Sequence, residues 1–183
     1  MARLAPLELD DMTPEQRTVA EEIMSGPRGG LRGPFLPWLR SPELANHGQR
    51  LGAYCRYGTS LPRNLSELAI IITGKHWTAQ FEFYAHARLA LEAGVPEAAV
   101  EAIRTGGEPT FDDDAEQFVY DFVTEYFRTN RVSDVLYKRG LDLLGERGIL
   151  DIVAIVGYYS LVSVTLNVFE VDVPGGVPLP LPE

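Results

Sequence analysis

The chain has 183 residues, 45% hydrophobic and 23% charged, which fits one globular domain with its own core and argues against two domains or a disordered chain. Its 26 acidic residues outnumber 16 basic ones and give a net charge of −10, so nucleic acid and anionic lipid surfaces are not expected partners. The single cysteine excludes an internal disulfide, and the start of the chain lacks the apolar stretch of a signal peptide, so we expect a cytoplasmic protein.

The first third of the chain carries helix signals separated by a glycine-rich loop. Thr13-Pro14-Glu15-Gln16 has the form of a capping box and predicts a helix to about Met24. The loop at 26–34 contains two arginines that could meet an anion, but it lacks the Lys-Ser/Thr ending and the preceding strand of a phosphate-binding loop, so a plain surface connection is favoured. Ser41-Pro42 opens the next helix, to about Tyr57. The residues of that helix spaced for contact with the core are Leu44, His47, Leu51, Tyr54 and Cys55.

The rest of the chain also predicts helices, and alternating strand patterns bounded by hairpin turns are missing from the sequence. The predicted helices lie at about 62–73, 77–93, 97–103, 112–128 and 134–144, and a long apolar helix follows Gly148. The run Ile70-Ile71-Ile72-Thr73 favours a strand by propensity alone, but its flanks favour helix. Residues 172–183 predict an extended, polyproline-like tail that leaves the fold. Without repeats or composition shifts, a single all-α domain over 1–183 is expected.

The apolar segment from Ile149 to Phe169 is long enough to cross a membrane. We do not expect it to do so, because five polar residues interrupt it and no basic flank follows. A helix that is apolar nearly all round is also what a buried core or a subunit interface needs. Burial against protein is therefore the prediction for this segment.

The predicted helix 77–93 carries two ionisable residues on its apolar stripe. On a wheel of 100° per residue, Glu82 and His86 fall among small and apolar side chains, four residues apart, where they can pair. One interpretation is a buried structural pair that holds helices in register. The other is a pocket in which the carboxylate orients the imidazole for general acid and base chemistry. The pattern is compatible with both.

Glu67 lies in a predicted helix that is apolar on nearly every side, so it needs a partner. Arg63, four residues earlier, would make a local ion pair. The alternative is that Glu67 faces His86 across the helix pair, where a second carboxylate would separate the pKa values of the two acids. The sequence does not choose between these two partners.

Two other chemistries compete for the same residues. Glu67, Glu82 and His86 are plausible metal ligands, but a single Glu-x-x-x-His is not the paired motif of carboxylate di-iron bundles, so no metal is expected. Thiol chemistry is disfavoured because Cys55 lacks a Cys-x-x-Cys partner. His76 and Trp77, between the two helices, could line the same pocket or simply pack.

The segment 61–105 resembles the carboxymuconolactone decarboxylase family, which also includes AhpD-type alkylhydroperoxidases. The resemblance rests on Glu67 followed by a helix that carries Glu82 and His86 and ends in Ala90-Leu91-Glu92-Ala93-Gly94. The peroxidase branch has Cys-x-x-Cys-x-x-x-His, and here Ala79 and Glu82 stand at the cysteine positions. The disulfide-cycling activity is therefore not expected, whereas the decarboxylase branch keeps a glutamate four residues before the histidine.

The resemblance implies an AhpD-like helical bundle that forms homotrimers or homohexamers, with sites near subunit interfaces and no organic cofactor. Ser66 departs from the Arg-Glu pair that is common in the family, and the long flanks differ from the minimal decarboxylase. These departures leave room for a different substrate.

The leading hypothesis is a lyase or isomerase that acts on a small carboxylated lactone or enolisable acid. His86 would transfer the proton, Glu82 would orient it, and Glu67 would be the second acid or base group. Arg63 or an arginine of the 26–34 loop would hold the substrate carboxylate, near His76 and Trp77. The alternatives are a non-catalytic oligomer with a structural Glu-His cluster, and a metal-dependent or peroxidase-like family member.

Overall fold

A computed structural model of the chain describes residues 3–27 and 29–182, and within them every regular element is helical, as predicted. Two short 3-10 turns, at Leu9–Asp11 and Pro174–Gly176, and a π-helical turn at Tyr54–Gly58 accompany the longer elements. The α-helices of the described residues are α1 (Pro14–Ser25), α2 (Phe35–Trp38), α3 (Pro42–Ala53), α4 (Arg63–His76), α5 (Gln80–Glu92), α6 (Glu97–Thr105), α7 (Asp114–Thr129) and α8 (Asp134–Val168).

Capping bonds confirm three of the predicted helix starts, at Thr13, Asp113 and Ser133, whereas Ser41 precedes its helix without a side-chain cap. The Thr13 hydroxyl accepts from the backbone N–H of Gln16 at 3.3 Å, and the Gln16 side chain accepts from the backbone N–H of Thr13 at 2.9 Å. Asp113 caps α7, and Ser133 caps α8 through the N–H of Leu136. These caps satisfy backbone donors that a helix start leaves without an intrahelical partner.

Helix α4 is the centre of the fold and packs against α5, α7 and α8. Its residues from Leu65 to Gly74 are all buried. The run Ile70-Ile71-Ile72 is helical, as predicted, because a helix buried on all sides gains more from burying branched side chains than it loses in propensity. The remaining helices surround α4 and form one core with it.

The predicted core-facing stripe of helix α3 is wrong, because most of its residues are exposed. Leu44 is 44% exposed, and His47, Leu51 and Tyr54 are also exposed, so that Cys55 alone of the predicted core residues is buried. The inner face is made of small residues, Ala45, Gly48 and Gly52. A Cβ on Gly48 would lie 2.9 Å from the Trp38 ring, so α3 approaches α2 too closely for larger side chains. The α-helix also ends at Ala53, before the π-helical turn.

Helix α8 breaks at Gly145, where φ is 68°, and not at Gly148. Beyond the break one face is buried in the core, while the opposite face is exposed and apolar, so burial within one chain accounts for only part of the segment. The exposed apolar residues of this face are Leu150, Val153, Leu161, Val164 and Val168, which we call the outer face of α8.

The same helix is the described element that is long and apolar enough to cross a membrane. Its most apolar 18-residue window has a mean hydropathy of 1.9, and 61% of that window is buried inside the structure. A core helix of a protein that never enters a membrane passes the same test, so this is weak evidence for a span.

The C-terminal tail does not leave the fold, contrary to the prediction. Leu181 is 2% exposed, and the Gln80 side chain binds both its N–H at 2.9 Å and its carbonyl at 3.0 Å. The Arg104 guanidinium also donates to the carbonyl of Pro180. The tail therefore lies on α5 and α6, because these two side chains satisfy its backbone while Leu181 is buried; Glu183 lies outside the described residues.

Candidate active site

Helix α5 presents its ionisable residues inward, as the wheel predicts. Glu82, Phe83, His86, Leu89 and Ala90 are its buried residues. Its solvent side carries Arg88, which pairs with Glu92, as expected of exposed charges one turn apart. The stripe is buried because small and apolar neighbours let α5 pack closely on α4, and the two ionisable residues are buried with it.

Three ionisable side chains meet between α4 and α5. His86 Nδ1 is 2.7 Å from Glu67 Oε2, and His86 Nε2 is 3.1 Å from Glu82 Oε1. Glu67 and Glu82 are each 3% exposed and His86 is 6% exposed. Of the two partners open to Glu67, His86 is thus the close one, while Arg63 Nε lies 4.0 Å from Oε1. We call these residues the Glu-His-Glu cluster.

The two contacts of His86 differ in kind. Nδ1 and Glu67 Oε2 form a hydrogen bond, whereas Nε2 and Glu82 Oε1, 3.1 Å apart, are in ion-pair contact without hydrogen-bond alignment. A neutral imidazole donates from one ring nitrogen only, so with both carboxylates ionised only an imidazolium has an N–H on the side of each of them. With an imidazolium between two carboxylates the cluster has a net charge of −1. Because the side chains are buried, the stability of each charge depends on the other two. The arrangement suits a group that takes up and releases a proton.

Glu82 and His86 lie at the wall of a pocket of about 650 Å³. Glu67 binds the imidazole from α4 and is not among the residues that line the pocket. Arg32, Arg56 and Arg88 also line this pocket, in a chain whose net charge is −10, and Arg88 lies at its solvent side, paired with Glu92. The aromatic residues that line it are Phe35, Phe81, Tyr84, Tyr158 and Tyr159. A small anionic molecule with an apolar body suits such a lining.

The three residues predicted to bind substrate lie away from this pocket. Arg63 is exposed on the first turn of α4 and is 3.9 Å from Glu92. The His76 ring stacks on Phe127 at 3.8 Å, and burial lowers its pKa. The Trp77 indole donates to the Ser160 hydroxyl. His76 and Trp77 line a second pocket, of about 460 Å³, between α7 and α8. Of the loop arginines, Arg32 reaches the first pocket and Arg28 lies outside the described residues.

The sequence reasoning missed Arg56, which the π-helical turn brings to the pocket. The carboxylate of Asp151 in α8 fixes that turn, because it accepts from the Tyr54 hydroxyl at 2.5 Å and from the Ser60 N–H and hydroxyl at 2.7 Å each. Burial opposes ionisation of Asp151, but the hydrogen bonds from Tyr54 and Ser60 hold its pKa below the ordinary value. Such turns are frequent at functional sites, and only the folded chain brings residues 54–60 to residue 151.

Asp151→Asn is expected to reduce the free energy of unfolding by about 1 to 3 kcal/mol near neutral pH, because the amide cannot accept all three hydrogen bonds equally well. Since folding lowers the pKa of Asp151, its charge stabilises the fold above the ordinary pKa, and this contribution is lost as the pH falls through the folded-state value. Urea unfolding of both proteins from neutral to acid pH measures the difference. A difference that stays constant down to acid pH would contradict the role of the charge.

Tyr159 is another pocket residue that the sequence did not indicate, because nothing in the spacing relates position 159 to position 86. Its ring meets His86 edge to face, with centroids 5.1 Å apart and planes at 77°. Burial, with Glu82 nearby, raises its pKa well above the ordinary value for a tyrosine. The phenol thus keeps its proton at neutral pH.

No group of three or more His, Cys, Asp or Glu side chains that could hold a metal ion is found in residues 3–27 and 29–182. No protein-family model matches the chain, and a search of curated proteins also gave no match. The fold and the site define an all-helical protein with a buried Glu-His-Glu cluster at the wall of a cationic pocket. The resemblance of segment 61–105 to the carboxymuconolactone decarboxylase family therefore rests on the residues of that segment alone.

Proposed function

We propose that the protein is a cofactor-independent acid and base enzyme, a decarboxylase or isomerase of a small carboxylated lactone or enolisable acid. The observation that carries this proposal is His86, held between Glu67 and Glu82 at the wall of a pocket lined by three arginines. The resemblance of segment 61–105 to the carboxymuconolactone decarboxylase family supports the same chemistry.

The geometry favours a different division of roles between the two glutamates from the one expected. Glu67 holds Nδ1 and lies outside the pocket lining, so it orients the imidazole and balances its charge. Glu82 lines the pocket beside Nε2, so it is the carboxylate that can exchange a proton with a bound molecule through His86. His86 remains the group that transfers the proton.

Decarboxylation at this site needs no redox partner. The bond between the ring carbon and the carboxylate breaks, carbon dioxide leaves, and the electron pair moves into the lactone as an extended enolate. The imidazolium of His86 then gives its Nε2 proton to carbon, and the cluster regains a proton from solvent. Arg32 and Arg56 line the pocket and would hold the substrate carboxylate before the bond breaks.

The release of carbon dioxide from γ-carboxymuconolactone tests this function, measured with the wild type between about pH 5 and pH 9, where a histidine-dependent reaction changes rate. Turnover would support the proposal. A wild type without turnover would contradict this substrate and direct the search to other lactones and enolisable acids.

A structural role for the cluster is the second candidate, favoured by the burial of all three side chains. The two candidates differ in how His86 responds to small carboxylic acids in the pocket. A structural histidine keeps its NMR titration unchanged when such acids are added, whereas a site histidine shifts because the bound carboxylate favours the imidazolium.

We also propose that the chain forms a homo-oligomer in the cytoplasm, with other copies rather than lipid covering the outer face of α8. This face carries Leu150 and Val153 on one side of the exposed Gly157, and Leu161, Val164 and Val168 on the other. Exposed apolar side chains grouped along one helix face are typical of interaction surfaces. The trimer or hexamer implied by the family resemblance is the expected state.

Leu161→Asp is expected to reduce the oligomer to monomers, because a buried unpaired carboxylate costs several kcal/mol at each contact. Light scattering after gel filtration measures the mass. The matched control is Val135→Asp, an equally drastic change at an exposed residue of α8 before the break at Gly145, which is expected to keep the wild-type mass. A monomeric wild type at micromolar concentration would contradict the proposal.

A further inference from the structure

Tyr159 brings an additional polar group to the pocket. It belongs to the buried face of α8 and is 4% exposed, yet it lines the pocket together with Glu82 and His86. The edge-to-face contact with the imidazole, at a centroid distance of 5.1 Å, fixes the ring beside the group that transfers the proton. Whatever lies against His86 in the pocket therefore also lies near this phenol.

Among residues 3–27 and 29–182 the hydroxyl of Tyr159 makes no hydrogen bond, and it does not belong to the fully enclosed side-chain atoms that lack a partner, so it opens to the pocket. Buried tyrosines and tryptophans generally use their polar atom in a hydrogen bond, as Trp38 does with the hydroxyl of Thr165 at 2.9 Å. A phenol that opens to the pocket can donate to an oxygen of a bound molecule.

The chemistry of the surroundings determines which role this hydroxyl can take. Burial, and then the negative charges of Glu82 and Glu67, raise the pKa of Tyr159, so the phenol is a donor and not a base. His86 and Glu82 already supply the exchangeable proton. The reaction still lacks a group that stabilises negative charge on oxygen when the carboxylate leaves.

We infer that Tyr159 is a further catalytic residue, whose O–H donates a hydrogen bond to the lactone carbonyl oxygen as that oxygen becomes an enolate. This inference rests on the proposed function. As carbon dioxide leaves, the electron pair of the broken bond moves towards the carbonyl oxygen, and the phenol stabilises the charge without losing its proton. His86 then protonates carbon, the charge returns from oxygen to the new C–H bond, and Tyr159 is unchanged.

Tyr159→Phe tests the inference because it removes the hydroxyl and keeps the ring against His86. We expect kcat for γ-carboxymuconolactone to fall on the order of 10²-fold with little change in KM, as when one oxyanion donor is removed. Tyr120→Phe is the control, since Tyr120 is half-buried on α7, away from this pocket, and is expected to keep the wild-type kcat.

A second measurement does not depend on turnover. Tetronate, the anion of a five-membered lactone that is a stable enolate at neutral pH, mimics the charged intermediate and can be titrated by calorimetry. Tyr159→Phe is expected to bind it at least about tenfold more weakly than the wild type, the size of one charge-assisted hydrogen bond.

The results separate the inference from the proposed function. Turnover of the lactone with equal kcat and equal tetronate affinity in both proteins would overturn the role of Tyr159 and leave the proposed function standing. Tetronate binding that weakens in Tyr159→Phe supports the donor role even if γ-carboxymuconolactone is not the substrate. A wild type that neither turns over the lactone nor binds tetronate would overturn both.

Discussion

His86→Gln is expected to release carbon dioxide from γ-carboxymuconolactone at least on the order of 10²-fold more slowly than the wild type, because an amide cannot transfer a proton at neutral pH. The substitution keeps a polar side chain of similar length between the carboxylates. Initial rates under saturating substrate measure the change in kcat.

The exposed histidine of α3 offers a matched control for that experiment. His47→Gln makes the same chemical change outside the pocket and is expected to retain the wild-type rate. Turnover by His86→Gln at the wild-type rate would remove His86 from the mechanism. Loss of turnover in both variants would point to a general effect on the fold.

The same substitution is expected to cause the largest loss of stability. Without an imidazolium, the buried carboxylates of Glu67 and Glu82 lose the cation that both of them contact, and breaking a buried ion pair typically costs about 3 to 5 kcal/mol. Urea unfolding of wild type and His86→Gln at neutral pH measures the loss.

A double variant separates charge from packing in this experiment. Glu67→Gln combined with His86→Gln leaves one carboxylate in place of two, so it is expected to be more stable at neutral pH than His86→Gln alone. This reversal arises only if the two carboxylates repel each other. A double variant that is less stable than the single one would show that lost packing, and not charge, dominates.

Sequence patterns were sufficient to predict features that depend only on residues close together in the chain. The capping box at Thr13 and the buried stripe of α5 depend on residues within one or two turns, and both are confirmed. Glu67 pairs with a residue on another helix, and the sequence alone left Arg63 and His86 as possible partners. The packing of α5 on α4 brings His86 to it.

The wrong predictions share a physical cause, which is that a neighbour from elsewhere in the chain decides the result. The Trp38 ring leaves no room for a side chain at Gly48, so the inner face of α3 is made of small residues and its apolar stripe is exposed. Gln80 and Arg104 offer hydrogen bonds to a tail whose composition predicts no contacts. Arg56 and Tyr159 reach the pocket through turns and helices that no spacing in the sequence relates to His86.

The Asp151 carboxylate has a consequence for the range of molecules that this protein can accept. It ties the turn that carries Arg56 to the helix that carries Tyr159, two residues of the same pocket. Arg56 would receive the substrate carboxylate, and His86 and Tyr159 would act on the lactone ring. The distance between them is therefore fixed by the fold before any molecule binds. A substrate analogue that is longer by one methylene would hold its reacting carbon too far from His86 when its carboxylate is bound. The pocket would therefore discriminate against it by shape alone.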